Sequence, residues 1–223
     1  MAIIKHKSQR VGIFIDTQNL YHSAKNLYKA KVNFGQVVKE AVAGRTLIRA
    51  IAYVIRTESE DEKGFFEALN KLGIETRVKD IRVFAGGAKK ADWDIGMAID
   101  AIAMAEKLDA IILATGDGDF VPLVEYLKYT HGVQVEVIAF GKSSSGQLRE
   151  AVDDFIDICD DPRNYLIGYR GGKGGSWIPG FGGKSGNGGG KEGRVDADTS
   201  IETTEAPEWN GEGEDPAIKM SGE

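Results

Sequence analysis

A single cysteine, Cys159, excludes an intramolecular disulfide framework and a cysteine-rich zinc site, as suits a reducing cytoplasm. No run approaches the ~18 apolar residues of a membrane-spanning helix. The start, Met-Ala-Ile-Ile-Lys-His-Lys-Ser-Gln-Arg, lacks the apolar stretch of a secretory signal. A soluble cytoplasmic protein with no membrane partner is expected. Histidine is scarce: His6, His22 and His131 belong to no ligand or triad pattern. A surplus of positive charge is also missing. The formal net charge is −6, of which residues 1–170 carry −1 and residues 171–223 carry −5. A near-neutral body makes no global electrostatic case for nucleic-acid binding, so such binding must come from a local site.

What is present is a regular alternation. Residues 11–15 form a short continuous apolar run, as in a strand covered on both faces of a parallel sheet. A helical pattern follows, with Leu20, Ala24 and Leu27 or Tyr28 on one face, then a helix over 34–43 ended by Gly44 and a buried strand over 47–55. The polar stretch 57–62 places carboxylates in the first turn of a helix running to Leu72 and stopped by Gly73. Residues 75–84 read as a strand or hairpin, irregular at Asp80. A helix over 94–107, the clearest buried strand over 110–115, a helix over 119–129, a strand over 133–140 and a helix over 147–156 complete the set. Strands separated by helices of this length indicate βαβ crossovers. The expected fold is α/β: a Rossmann-like three-layer α/β/α sandwich with a mostly parallel central sheet. Residues 1–10 are an N-terminal extension and 11–160 the folded domain. Segment 168–194 is a Gly-rich basic linker and 195–223 an acidic tail, both expected to be disordered. Glycine with interleaved cations and aromatics can contact RNA, though an inert flexible tail is the plainer reading.

Asp16 directly follows the first buried strand, and Asp117 and Asp119 follow the clearest later one, in Thr115-Gly-Asp-Gly-Asp-Phe120. Parallel strands all exit at one edge, where ligands of open α/β sheets bind at the reversal of strand order. Neighbouring strands lie about 4.8 Å apart, so Asp16 and Asp117 share one small site if their strands flank that reversal. Carboxylates at about 4 Å repel by roughly 4 kcal/mol per pair at an effective dielectric of about 20. Oxygen ligands without His or Cys partners favour Mg²⁺ or Mn²⁺ over zinc. Asn19, one helical turn after Asp16, can add a neutral oxygen or orient water. Periodicity leaves the place of Asp94 open; Asp92 is a candidate N-cap for its helix, and Asp100 is rotated about 120° away from it. Any one of these aspartates could be only a cap or turn residue, and it is their clustering at strand exits that points to a site. Cys159 reads as a small core residue. Gly116 and Gly118 complete no nucleotide-binding fingerprint, and Lys142-Ser-Ser-Ser145 reads as a solvated loop sooner than a phosphate contact.

Three ordered blocks carry a resemblance: Phe14-Ile-Asp-Thr-Gln-Asn-Leu-Tyr21, Lys90-Ala-Asp-Trp-Asp-Ile-Gly-Met-Ala-Ile-Asp100 and Thr115-Gly-Asp-Gly-Asp-Phe120 followed by Val121-Pro-Leu-Val124. Over residues 11–158 the chain resembles the NYN domain in its LabA-like branch. Thr17 departs from the small residue usual after the first aspartate. The resemblance implies a PIN-like nuclease fold, a metal-dependent acidic site and ribonuclease activity like that of several members. It also implies site roles for Asp16, Asn19, Asp94 and Asp117, with Asp119 supporting, and picks Asp94 over Asp100 as the site acid. The expected chemistry is phosphodiester hydrolysis with metals at Asp16, Asp94 and Asp117, one ion activating water and a second stabilising the leaving oxygen. Asn19 and Asp119 would act through the outer shell. Lys89, Lys90, Lys142 and Arg149 would meet the backbone of single-stranded or structured RNA. A homodimer is compatible with this reading. The rival is a non-catalytic nucleic-acid- or nucleotide-binding regulator on the same fold. A receiver-like phosphotransfer domain fits poorly, because Arg56-Thr57 stand where it needs an acceptor aspartate.

Overall fold

A computed structural model describes residues 3–56, 62–80, 82–83, 89–90 and 92–169, with the backbone alone at 62, 82–83 and 89–90. The acidic tail 195–223, the linker 168–194 beyond its first two positions, and the side chains of the carboxylate stretch 57–62 lie outside the described residues. In chain order the elements are β1 (Arg10–Asp16), α1 (Thr17–Tyr28), β2 (Lys31–Val32), α2 (Phe34–Val42), β3 (Thr46–Arg56), α3 (Glu62–Lys71) and β4 (Glu75–Asp80). Then come β5 (Arg82–Val83), β6 (Lys89–Lys90), α4 (Asp94–Ala105), β7 (Ala110–Ala114), α5 (Val121–His131), β8 (Gln134–Ala139), α6 (Gly146–Ala151), β9 (Asp154–Asp157), α7 (Pro162–Tyr165) and β10 (Leu166–Ile167).

Six strands make one sheet in the order β4-β3-β1-β7-β8-β9, and every pairing in it is parallel. The period-2 alternation of a strand divides β1 between two cores. Val11, Ile13 and Ile15 pack with Leu20 and Ala24 of α1, Val37 and Ala41 of α2 and Leu69 of α3. Phe14 packs on the other face with Met97 and Ala101 of α4, Leu123 and Leu127 of α5 and Leu148 of α6. β7 feeds both, Ile112 to the first core and Ile111 and Leu113 to the second. The layers are therefore helix, sheet, helix, as the apolar runs require. Among the described residues no helix is long and apolar enough to cross a membrane.

Inside the first layer lies a buried ion pair. Arg45 and Glu136 have fully buried side chains and meet in two hydrogen bonds. Arg45 also donates to Ala41 O at 2.7 Å, while Lys5 joins Glu136 at 2.9 Å and Asp154 at 2.7 Å. The arm before β1 is thus tied to β8 and β9.

Three sequence expectations change and one is met. The pattern over 147–156 is not one helix: α6 stops at Ala151, Val152 turns extended (φ −79°, ψ 159°), and Asp154–Asp157 pairs with β8. Leu148, Ala151, Val152 and Phe155 satisfy helical spacing. The open edge of β8 wins because it needs backbone partners; Asp153 accepts from Val135 N and donates to Val135 O, each at 2.8 Å. Within 75–84, of which 81 and 84 lie outside the described residues, the irregularity expected at Asp80 is present. β4 stays in the sheet, and Arg82–Val83 folds back antiparallel on Lys89–Lys90. The helix expected from 119 begins at Val121, after a 3-10 turn over Gly118–Phe120. The N-cap of α4 is Trp93, which makes no side-chain capping bond; Asp92 is not the cap.

Candidate metal centre

Successive strands run outward from β1 on one side (β3, β4) and later ones on the other (β7, β8, β9), so the order reverses between β1 and β7. Connections leave toward opposite faces there and open a crevice at the strand exits. Asp16 ends β1 and caps α1, its Oδ1 accepting from Asn19 N at 3.0 Å. Asn19 Oδ1 accepts from Gly116 N at 2.9 Å. The fully buried Thr115 donates its hydroxyl to Asp16 Oδ2 at 3.4 Å and accepts from Asp117 N at 3.2 Å. These bonds join the two strand exits. Asp117 Oδ1 accepts from Asp119 N at 3.0 Å, closing the 3-10 turn. The loop sits tightly on its neighbour: a Cβ at Gly116 would lie 2.5 Å from Ser144 Oγ, and one at Gly118 would lie 2.8 Å from Ser145 Oγ.

α4 brings the remaining acid. Carboxylate oxygens of Asp94, Asp117 and Asp119 lie within 4.8 Å of one another. A pocket of about 230 Å³ opens beside them, lined by Asp16, Gln18, Asn19, Tyr53, Ile55, Asp92, Trp93, Asp94 and Asp117. Burial pushes the Asp16 carboxyl up and the charge of Asp117 adds to this, against the pull of the Asn19 and Gln18 amides and the Thr115 hydroxyl. Asp94 is pushed up by burial first, then by Asp16, Asp117, Asp92 and Asp119. Oxygen donors of one charge, gathered with no lysine or arginine among the described residues of the pocket lining, make a site able to hold a divalent cation.

Residues 10–159 match the NYN domain family. The chain belongs to the NYN family. Low amplitude and bright protein LabA of Synechococcus elongatus is 30% identical over 167 residues, spanning 69% of this chain and 86% of that protein. The crystal structure of a protein of unknown function from Vibrio parahaemolyticus aligns with a TM-score of 0.67 and 29% identity, covering 74% of this chain and all of the other.

Within this NYN domain, Asp16, Asn19, Asp94 and Asp117 all reach the one pocket. Asp119, expected in a supporting place, has oxygens among those of Asp94 and Asp117, while Asp16 lies alongside with both oxygens already hydrogen-bonded. Asn19 spends its amide oxygen on Gly116. Asp100 points elsewhere, accepting from Tyr53 Oη at 2.8 Å. Of the rim cations, Lys142 and Arg149 are exposed and neither lines the pocket. Lys142 Nζ lies 5.8 Å from the Tyr28 ring and Arg149 Cζ lies 4.8 Å from the Phe155 ring. The side chains of Lys89 and Lys90 lie outside the described residues. Sequence reasoning missed Thr115, Tyr53 and Trp93. For Tyr53 a signal existed: it is the one aromatic in the run 50–55, otherwise aliphatic, and it pairs in register with Asp16.

Proposed function

We propose that this protein is a metal-dependent ribonuclease that hydrolyses RNA phosphodiesters with Mg²⁺ or Mn²⁺. The observation that carries this is the meeting of Asp94, Asp117 and Asp119 within 4.8 Å at the edge where the strand order reverses. Acids held this close repel unless a cation or proton offsets them. An all-oxygen donor set suits a hard divalent ion. Asp94, Asp117 and Asp119 hold it in this reading. When bound, such an ion supplies Lewis-acid chemistry, acidifying water and neutralising charge that gathers on the phosphate and leaving oxygen.

The remaining groups act around it. Asp16 faces the same pocket with a carboxyl pushed up by burial, which suits it to take a proton from attacking water. Thr115 and Asn19 fix the acid loop against α1 through their bonds to Asp16, Asp117 and Gly116. Lys142 stands on the loop that packs against Gly116 and Gly118, where it can meet the substrate backbone. A near-neutral body suffices in this reading, because Asp94, Asp117 and Asp119 would hold a cation whose charge would offset that of the substrate phosphate. Incubation of the purified chain with assorted RNAs and DNAs tests this. Cleavage of RNA in Mn²⁺ that stops in EDTA and in Asp117→Asn, whose circular dichroism stays native, is the expected result. Cleavage that persists in EDTA refutes it.

A further inference from the structure

The pocket lining is of two kinds, an acidic set with Asp16, Asp94 and Asp117 and an apolar set with Ile55 and Trp93. Tyr53 also belongs to it, but that ring is 1% exposed and its hydroxyl is given to Asp100. Ile55 is buried as well. The half-buried Trp93 is therefore the aromatic surface that the described residues leave open to the pocket.

Trp93 has one polar atom, and it is occupied: Nε1 donates to Val54 O at 3.0 Å. The indole thus offers a ligand no hydrogen bond, only the carbon surface that Lys79 and Tyr53 leave to the pocket. It is also clamped. The Tyr53 ring lies 5.4 Å away at 58°, and Lys79 Nζ sits 4.8 Å from the indole centroid while donating to Asp92 O at 2.6 Å. Gly96 leaves room for the ring, since a Cβ there would stand 2.7 Å from it. A side chain already immobilised loses little further freedom on binding. Trp93 also precedes Asp94 directly, so the aromatic surface and a site carboxylate ride on the same helix start.

We propose that Trp93 is a nucleobase platform: its indole takes one unpaired base while the adjoining phosphate would meet the cation that the carboxylates hold. This rests on the ribonuclease reading. A base stacked inside a duplex has no free face to give, whereas a base in a flexible strand does.

The test uses the full chain with labelled octa-adenylate in Mn²⁺, and a base-free octamer of tetrahydrofuran abasic residues as competitor. Stacking on an aromatic side chain corresponds to about five- to hundredfold in affinity per base. Trp93→Leu should raise KM for octa-adenylate at least fivefold with kcat within about twofold, and leave the inhibition constant of the base-free octamer unchanged. Trp93→Phe should hold KM within about threefold. Trp93→Met repeats the measurement if Trp93→Leu does not fold. An unchanged KM, a parallel loss for the base-free octamer, or a fall in kcat alone overturns the assignment. If the native chain cleaves nothing, the ribonuclease reading fails on its own, and anisotropy binding of the same two octamers decides Trp93.

Discussion

Replacing Asp94 with asparagine should make the metal-free protein more stable and abolish its response to metal. Asp94 takes part in two of the three close pairs among Asp94, Asp117 and Asp119. At 4.8 Å a fully charged pair repels by about 3.5 kcal/mol at an effective dielectric of about 20, and by about 0.9 kcal/mol in bulk water. Asp119 is exposed and Asp94 only half-buried, which puts the value near the water limit. Two pairs then amount to about 2 kcal/mol, or about 4 to 8 °C in Tm for a domain of this size. Burial and neighbouring acids hold the Asp94 and Asp16 carboxyls above their ordinary range. The stabilisation from their protonated forms is complete below that range and lost as pH rises through the raised values. The advantage of Asp94→Asn should therefore grow from about pH 4 to pH 7. Mn²⁺ at a hundredfold its dissociation constant should stabilise the native chain by about 2.7 kcal/mol, and Asp94→Asn scarcely at all. Scanning calorimetry at both pH values, with Mn²⁺ and with EDTA, reads all of this. A lower metal-free Tm for Asp94→Asn, or an undiminished Mn²⁺ response, refutes the reasoning.

Two more outcomes follow from bonds already described. Asn19→Ala leaves the buried Gly116 N–H without its acceptor, which should cost about 1–3 kcal/mol in urea unfolding and lower Mn²⁺-dependent cleavage under conditions where the variant is still folded. Arg45→Met strands Glu136 in the core. A loss at the lower end of about 3–5 kcal/mol is expected, because Lys5 and Gln134 still reach that carboxylate; adding Glu136→Leu should recover much of it in the same urea titration.

Much of this architecture could be read ahead of the coordinates, for identifiable reasons. β1 and β7 are covered on both faces, so their apolar runs are continuous, and Asp16 and Asp117 follow as the first charged residues at their exits. Asp94 is different. Its place depends on where α4 starts after the β5–β6 hairpin, which hydrophobic periodicity does not encode; the family resemblance supplied it. Asp119 was underrated because a 3-10 turn and a helix start look alike over three residues, yet the turn is what brings its oxygens to those of Asp117. β9 was hidden for a tertiary reason: its four half-buried residues show no alternation, and only the open edge of β8 makes them a strand. Trp93 and Thr115 carry no pattern at all, since what matters at each is a partner far away in sequence.

The central position of β1 has a topological cost. The first strand of the described residues is held between β3 and β7, and the hydrogen bond from Thr115 to Asp16 spans 99 residues. Cutting the chain anywhere between these strands would leave Asp16 on one fragment and the Gly-Asp-Gly-Asp loop, with nothing to lean on, on the other. Half of this protein is accordingly not a weaker version of the whole, but a sheet without its middle or a middle without its flank.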